Sequence, residues 1–321
     1  MNRELFEAVL MVLILIGVGV MAKKSKVLSD EADACVLKLL INVLLPAFIF
    51  AEIIGNEKLK SPQNIFYAPL AGFLGVAVPV IICLFLSRYV FKKFIPDAKA
   101  QRTFALAAGL QNYGYIALPV IAEVFGKELT GLMLLHNTGV ELALWSVGLI
   151  VLSGEINSNS WKKVVNAPFI AVLISIVLNS TGWDFIIPKP VSEAYNVLGQ
   201  TFIPVGLLLV GATCFSLVHK SDFFKKILNE GKWNVILGNL LRSGLLPLII
   251  LGMASILPYS DDLCKVIIIE AAMPAAFMPI LLARHFDGRP EVALHVSMSS
   301  MVIGIALIPF WVTFGKSMLG V

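Results

Sequence analysis

Ten stretches of about 20 mostly apolar residues run through the chain, and they strongly limit the folds that it can adopt. A helix needs about that length to cross the hydrocarbon core of a bilayer. Charged residues make up 14% of the chain, whereas a soluble domain has about 25%. The sequence therefore predicts an all-α polytopic membrane protein. The ten predicted spans are 5–22, 32–54, 65–91, 103–125, 130–153, 164–181, 192–217, 233–258, 263–285 and 291–315.

Several other classes of protein are not supported by the sequence. The net charge of +4 is small, and no basic stretch with interleaved aromatic residues indicates a nucleic-acid partner. The four cysteines are scattered without a C-x-x-C pair, which argues against a metal cage or a disulfide framework. No H-E-x-x-H or G-x-S-x-G motif indicates an intramembrane enzyme. We expect no enzymatic activity, no metal site and no cofactor beyond a coupling H⁺ or Na⁺.

Basic residues are distributed unevenly among the connections between the spans. Of the 25 Lys and Arg residues, 16 fall in odd-numbered connections or within four residues of them, and 7 fall at the termini and in or near even-numbered ones. Because cytoplasmic loops are enriched in Lys and Arg, both termini are predicted outside the cytoplasm, in the cell inner membrane. No A-x-A cleavage site follows the first apolar stretch, so we expect a first span rather than a signal peptide.

Three motifs recur five spans apart and in the same order. Five is an odd number, so the two halves must have opposite orientations, which is typical of the inverted repeats of secondary transporters. This predicts a first five-helix repeat at 1–153, a cytoplasmic connection at 154–163 and a second, inverted repeat at 164–321. The matched motifs are NVLLPAFIF (42–50) with QTFIPVGLL (200–208), PVII (79–82) with PLII (247–250), and ALPVIAEVF (117–125) with FMPILLARH (277–285).

Spans 4 and 9 both contain helix-breaking residues near their centres. Span 4 reads QNYGYIALP at 111–119, and span 9 reads AAMPAAFMP at 271–279. Gly114 permits unusual backbone angles, and the prolines disfavour a continuous helix. Unwound backbone inside a membrane is tolerated only beside protein or water. Breaks in matching spans of the two halves therefore predict a substrate site, although prolines that merely kink the two helices are the alternative.

The broken centres would present main-chain N–H groups and the positive ends of half-helices, which suit an anion such as a carboxylate. The Gln111 and Asn112 side chains can donate to a carboxylate or coordinate a cation; alternatively they satisfy freed backbone groups. Tyr113 and Tyr115 either line the site or pack against the scaffold. The predicted substrate-binding residues are Gln111, Asn112, Tyr113, Gly114, Pro119, Met273, Pro274, Pro279 and Arg242.

Ionisable residues inside predicted spans are costly, and they indicate function by default. Glu141 in span 5 and Glu270 in span 9 are predicted near the midplane, where either can carry a coupling proton or help to bind Na⁺. A neutral, hydrogen-bonded glutamic acid is the alternative. His136 and Asn137 complete the predicted ion-coupling set, because histidine titrates near neutral pH; a packing histidine is the alternative. The guanidinium fork of Arg242 suits a carboxylate.

The sequence resembles the auxin efflux carrier family, the bacterial relatives of the plant PIN carriers. The likeness covers the whole chain and includes N-x-G-x-x-x-x-P at 112–119 and A-x-P-x-x-x-x-P at 272–279. A serine-rich start of span 10, with Ser297, Ser299 and Ser300, belongs to the same likeness. Two features differ from the plant carriers. The connection between the halves is only about ten residues, and Gly114 and Met273-Pro274 stand where the plant crossover has an Asn-Pro-Asn-type motif.

The resemblance implies a fold similar to the bile-acid symporters and sodium/proton antiporters, in which spans 4 and 9 cross at their broken centres. Spans 3–5 and 8–10 would form a transport domain that moves like an elevator, and spans 1, 2, 6 and 7 would form a scaffold and a homodimer interface. The implied substrate is a small organic carboxylate such as malate or an auxin-like acid. An anion channel, a uniporter without ion coupling and a transport-dead membrane sensor are the alternatives.

Overall fold

A computed structural model describes residues 3–114, 116–154, 167–220 and 231–321. Within these ranges every regular element is helical and no β-strand is present, apart from one isolated bridge between Gln111 and Ala275. Most of the predicted connection at 154–163 lies outside the described residues, as does Tyr115.

Eight α-helices precede the undescribed stretch in the middle of the chain, and we number them in chain order. They are α1 (Arg3–Lys24), α2 (Asp30–Leu39), α3 (Leu45–Ile53), α4 (Pro62–Phe85), α5 (Ala98–Gly109), α6 (Ala117–Phe125), α7 (Glu128–Ala143) and α8 (Leu149–Ser153).

The described residues that follow form further α-helices. They are α9 (Ala167–Thr181), α10 (Lys189–Gln200), α11 (Phe202–Lys220), α12 (Lys232–Leu240), α13 (Leu246–Ile256), α14 (Asp261–Ala272), α15 (Met278–His285) and α16 (Pro290–Leu319).

Short π-helical segments extend or join several of these helices. A π-helical turn contains an extra residue, so it rotates the side chains that follow it relative to those that precede it. Two of these segments matter below, because they contain Trp145 and Arg242. The segments are Leu40–Leu44, Leu86–Val90, Leu144–Gly148 and Leu241–Leu245.

Six continuous helical stretches of the described chain are long and apolar enough to cross a membrane. The protein is therefore a multi-pass, membrane-embedded helical protein, while the number of ten spans in two inverted halves stays a prediction. A seventh apolar helix, Ala167–Thr181, is shorter. The six stretches are Glu31–Ile53, Pro62–Val90, Glu128–Ser153, Lys189–Ser216, Lys232–Ile256 and Pro290–Leu319.

The predicted spans 103–125 and 263–285 are each divided into two short helices. Helix α5 ends where Leu110 adopts an extended conformation with φ −94° and ψ 118°, and the chain re-enters a helix at Ala117. Helix α14 ends at Met273, with φ −71° and ψ 144°, and α15 begins at Met278. The interruptions predicted in these two apolar stretches are thus present.

Both helices that lead into an interruption begin with a polar cap. The Asp97 carboxylate accepts the N–H of Ala100 at the start of α5, at 3.0 Å. The Ser260 hydroxyl accepts the N–H of Leu263 at the start of α14, at 3.2 Å. Such caps satisfy N–H groups that the first turn of a helix leaves without a partner. The sequence therefore fixes where α5 and α14 begin as well as where they end.

The described residues fall into two compact units, and each unit contains stretches from both halves of the chain. Unit 1 comprises residues within 1–68, 114–138 and 165–223; in it α1 packs against α11, and α3 packs against α9 and α10. Unit 2 comprises residues within 69–113, 139–164 and 224–321; in it α16 packs against α5, α12, α13, α14 and α15.

Candidate functional site

The two interrupted segments pair with each other inside unit 2. The N–H of Asn112 donates to the carbonyl of Pro274 at 2.8 Å, and the N–H of Ala276 donates to the carbonyl of Leu110 at 3.0 Å. These bonds place Gln111 opposite Ala275 in a short antiparallel bridge. Each segment thereby satisfies main-chain groups that the other one frees, which an apolar environment requires.

Serine side chains of α16 complete this pairing. The Ser300 hydroxyl accepts the N–H of Ala275 at 2.9 Å, and the Ser297 hydroxyl donates to the carbonyl of Ala276 at 2.6 Å. Both serines are fully buried. Sequence reasoning noted the serine-rich start of span 10 only as part of a resemblance; the structure shows that two of these serines hydrogen-bond the unwound backbone.

Three buried polar side chains lie in unit 2 beside the paired segments. Gln111, Arg242 and Glu270 are each 1% exposed. The Glu270 carboxylate lies close to the Gln111 amide and interacts electrostatically with the Arg242 guanidinium. A buried charge is costly unless an opposite charge or a hydrogen bond compensates it. The structure therefore brings together three of the residues that the sequence predicts for substrate and ion.

These side chains keep hydrogen-bonding atoms that no described residue satisfies. Arg242 lies on the π-helical segment Leu241–Leu245, and its Nη2 donates to the carbonyl of Ala271 at 3.1 Å. Its Nε and Nη1, both carboxylate oxygens of Glu270 and the Gln111 Oε1 atom have no well-formed hydrogen bond within the described part of the chain. Since buried polar atoms normally have partners, such a cluster indicates a place for polar ligand groups.

A second polar group in unit 2 is centred on Glu141. The Tyr113 hydroxyl donates to Glu141 Oε1 at 2.5 Å, and the Trp145 indole N–H donates to Oε2 at 2.7 Å. Tyr113 belongs to the interrupted segment, so this contact links Glu141 directly to it. Sequence reasoning missed Trp145, although its position four residues after Glu141 puts both on one helix face.

Three further predicted substrate-site residues lie at the ends or in the first turns of three different helices. Met273 ends α14, and its N–H donates to the carbonyl of Glu270 at 3.3 Å. Pro279 lies in the first turn of α15, where a proline costs no helical hydrogen bond. Pro119 lies in the first turn of α6, which belongs to unit 1.

The reason given for Gly114 is wrong in this structure. Its φ is not positive, and a Cβ there would meet nothing within 4 Å. A glycine is therefore not required at this position by backbone angle or by space. The helix ends earlier, at the extended Leu110, and it re-forms just before Pro119. The pairing at Gln111 and the presence of Pro119 therefore explain the interruption between α5 and α6, and Gly114 does not.

His136 and Asn137 belong to unit 1 rather than to the unit that contains the paired segments. Both are buried, and His136 Nδ1 lies 3.3 Å from Asn137 Oδ1. Glu141 and Glu270, the other two predicted ion-coupling residues, belong to unit 2.

A helical chain with several apolar spans and two interrupted helices paired at their centres belongs to the multi-pass membrane proteins. The profile of the family described as "Membrane transport protein" matches residues 4–312. The chain therefore belongs to this membrane transport protein family, and its identification with the auxin efflux carriers is confirmed.

Two relatives match along almost their entire length. A protein named "Uncharacterized transporter" from Methanothermobacter thermautotrophicus is 24% identical over 318 residues, which cover 95% of this chain and 96% of the relative. A protein named "Uncharacterized transporter YfdV" from Escherichia coli K12 is 23% identical over 318 residues, which cover 94% of each chain.

Proposed function

We propose that this protein is a secondary transporter that moves a small organic anion, a carboxylate such as malate or an auxin-like acid, across the inner membrane. One observation carries the proposal: buried polar groups with unmet hydrogen-bonding atoms lie beside the paired segments of unit 2. The Arg242 guanidinium suits the substrate carboxylate. The Gln111 Oε1 acceptor suits a hydroxyl or N–H group elsewhere on the same solute.

The two half-helices that follow the interruptions also favour an anion. Helix α6 is preceded by Ile116 and α15 by Phe277, and neither start has a side-chain cap. Their first N–H groups therefore keep the partial positive charge of a helix N-terminus. Each half-helix offers this charge within its own unit, and both features support the choice of a negatively charged substrate.

Transport proceeds by elevator-type alternating access, in which spans 3–5 and 8–10 move past a homodimeric scaffold of spans 1, 2, 6 and 7. Support for this part of the proposal comes from the family and from the repeated motifs in the two halves, since alternating access in such repeats is motion of one bundle against another. H⁺ or Na⁺ supplies the driving force, through Glu141 or Glu270.

Uptake of labelled malate and indole-3-acetate into proteoliposomes tests the proposal. We expect saturable flux of at least one of these carboxylates, and an Asn112→Ala variant that loses about tenfold or more in kcat/KM. That loss corresponds to one hydrogen bond to a charged group, worth about 1.5–3 kcal/mol. Asn42→Ala is the matched control, because Asn42 is exposed and its amide donates to the carbonyl of Lys38 within the same helical stretch.

Each other result contradicts a definite part of the proposal. Normal flux in Asn112→Ala removes Asn112 from the site. Single-channel conductance without saturation favours an anion channel, and saturable flux that no ion gradient drives favours a uniporter. The absence of any carboxylate flux removes the anion assignment and leaves a membrane sensor as the better reading.

A further inference from the structure

The two hydrogen bonds of the Glu141 carboxylate differ, because only one of them can reverse its direction. Trp145 can only donate, so its bond to Oε2 at 2.7 Å has one possible direction. The Tyr113 hydroxyl can either donate or accept, and it lies 2.5 Å from Oε1. When Glu141 is ionised, both neighbours donate to it. When Glu141 binds a proton on the side of Oε1 that faces Tyr113, that proton points at the tyrosine oxygen, and the bond to Tyr113 reverses.

Reversal of this bond changes what Tyr113 offers to the interrupted segment. A phenol hydrogen that no longer points at Glu141 must turn to another acceptor. Tyr113 follows Asn112 directly in the chain. The main-chain N–H of Tyr113 donates to the carbonyl of Gln111 at 3.0 Å. The charge state of Glu141 is thus connected by one hydrogen bond to the predicted substrate-binding residues.

No charged side chain compensates Glu141 in the described part of the chain. The groups that interact with its carboxylate are Tyr113 and Trp145, and of these only Tyr113 is titratable. No Lys, Arg, His, Asp or Glu from α4, α5, α7 or the segment 110–114 takes part. Arg242 interacts with Glu270 instead. An ionised Glu141 therefore depends on two neutral donors, and binding of one proton removes its charge entirely.

The same geometry distinguishes between the two coupling ions. Na⁺ needs several oxygen ligands around it, and of the two hydrogen-bond partners of the Glu141 carboxylate only the Tyr113 hydroxyl presents an oxygen. The indole N–H cannot turn its hydrogen away or present a lone pair. A proton needs only the bond to Tyr113 to reverse.

We propose that Glu141 carries the coupling proton, and that Tyr113 transmits its charge state to the substrate site so that proton and organic anion bind together. This inference rests on the proposed function. One H⁺ adds to Oε1 and donates to the Tyr113 oxygen, and the phenol hydrogen turns toward the substrate carboxylate. Release on the other side reverses these steps: the anion leaves, the phenol hydrogen returns to Oε1, and the proton departs. Neutralised Glu141 no longer repels the anion, so the two bind cooperatively.

Two assays on the same proteoliposomes separate this inference from the proposed function. The first measures exchange of labelled malate or indole-3-acetate at equal pH on both sides, and the second measures accumulation driven by an inward proton gradient. In wild type, we expect the KM for exchange to fall roughly fivefold or more from pH 8 to pH 5.5. Glu141→Gln keeps a neutral donor toward Tyr113, so its KM for exchange should stay at the low-pH value of wild type at both pH 8 and pH 5.5, and accumulation driven by the proton gradient should be lost.

Tyr113→Phe should keep the ring in place and also abolish the pH dependence of KM, since it removes the hydroxyl that hydrogen-bonds Glu141 from the interrupted segment. Glu193→Gln is the matched control, because this glutamate is exposed and pairs only with Lys189, at 3.7 Å; it should behave as wild type. Proton-driven accumulation by Glu141→Gln would overturn the inference, as would wild-type exchange that no proton gradient turns into accumulation. Absence of wild-type exchange would overturn the proposed function instead.

Discussion

The side chain of a single residue, Asp97, hydrogen-bonds to two separate parts of the fold. Its Oδ2 atom caps α5 and also accepts the Arg289 Nε–H at 2.9 Å. The main-chain N–H of Arg289 in turn donates to the Thr103 hydroxyl at 3.0 Å. Lys99 and Asp287 form a further ion pair between the same two stretches. The start of α5 and the connection before α16 are thus joined by several bonds near the ends of the apolar spans.

The hydrogen bond from Arg289 holds the pKa of Asp97 below its usual value of 3.8. A lowered pKa means that the native state favours the ionised form, so this contribution is complete above about pH 4 and is lost as the pH falls through the lower native pKa. We expect Asp97→Ala to destabilise the protein by about 1 kcal/mol at pH 7, mainly through the lost cap, and Asp97→Asn to lose less. Thermal unfolding in detergent at pH 7 and pH 3 measures both.

In that experiment the difference in stability between wild type and Asp97→Asn should shrink at pH 3, because the unfolded chain then binds a proton at Asp97 and the preference of the native state for the ionised form begins to be lost. Glu193→Gln should change stability by no more than about 0.5 kcal/mol at either pH. If the difference in stability between wild type and Asp97→Asn is the same at pH 7 and pH 3, the role given to the Asp97 charge is contradicted.

Helices α1 and α11 show at the element scale how glycines set the distance between two helices. A Cβ at Gly19 would lie 2.0 Å from the carbonyl oxygen of Leu208, and a Cβ at Gly211 would lie 2.0 Å from that of Ile16. Each helix therefore places a glycine against the backbone of the other. Small residues let membrane helices approach closely, and this packing replaces the hydrophobic driving force that lipid does not supply.

Because backbone cannot yield as a flexible side chain does, Gly211→Ala should force α1 and α11 apart. We expect destabilisation of about 1–3 kcal/mol, as for other overpacked interiors, and a lower melting temperature in detergent. Gly17→Ala is the matched control in α1, since a Cβ there meets nothing within 4 Å; it should stabilise the helix slightly. Equal melting temperatures for the two variants would show that this contact is looser than the structure indicates.

The topology of the whole molecule depends on the distribution of basic residues rather than on any single contact. Both termini are predicted outside the cytoplasm, because the odd-numbered connections hold most of the Lys and Arg residues. A C-terminal alkaline phosphatase fusion should be active and a C-terminal fluorescent-protein fusion dark, while fusions within 154–163 should behave in the opposite way. A fluorescent C-terminal fusion would contradict the predicted position of the C-terminus outside the cytoplasm.

Features that depend on neighbouring residues could be predicted from the sequence. Apolar stretches of sufficient length specify membrane helices, and proline specifies where helices cannot continue. Those signals predicted a helical membrane protein with interruptions in spans 4 and 9. The predicted reason for Gly114 was wrong, because sequence shows that a glycine is permissive without showing which backbone angle it adopts.

Contacts between residues far apart in the chain could not be predicted from the sequence. The bridge between Gln111 and Ala275, the grouping of Arg242 with Glu270, and the bond from Tyr113 to Glu141 join residues far apart in the chain. Each depends on the rotation of whole helices, and the π-helical segments that contain Arg242 and Trp145 change that rotation by one residue. The helical period of 3.6 residues in the sequence does not specify how far each helix is rotated about its axis, because packing against neighbouring helices selects that rotation.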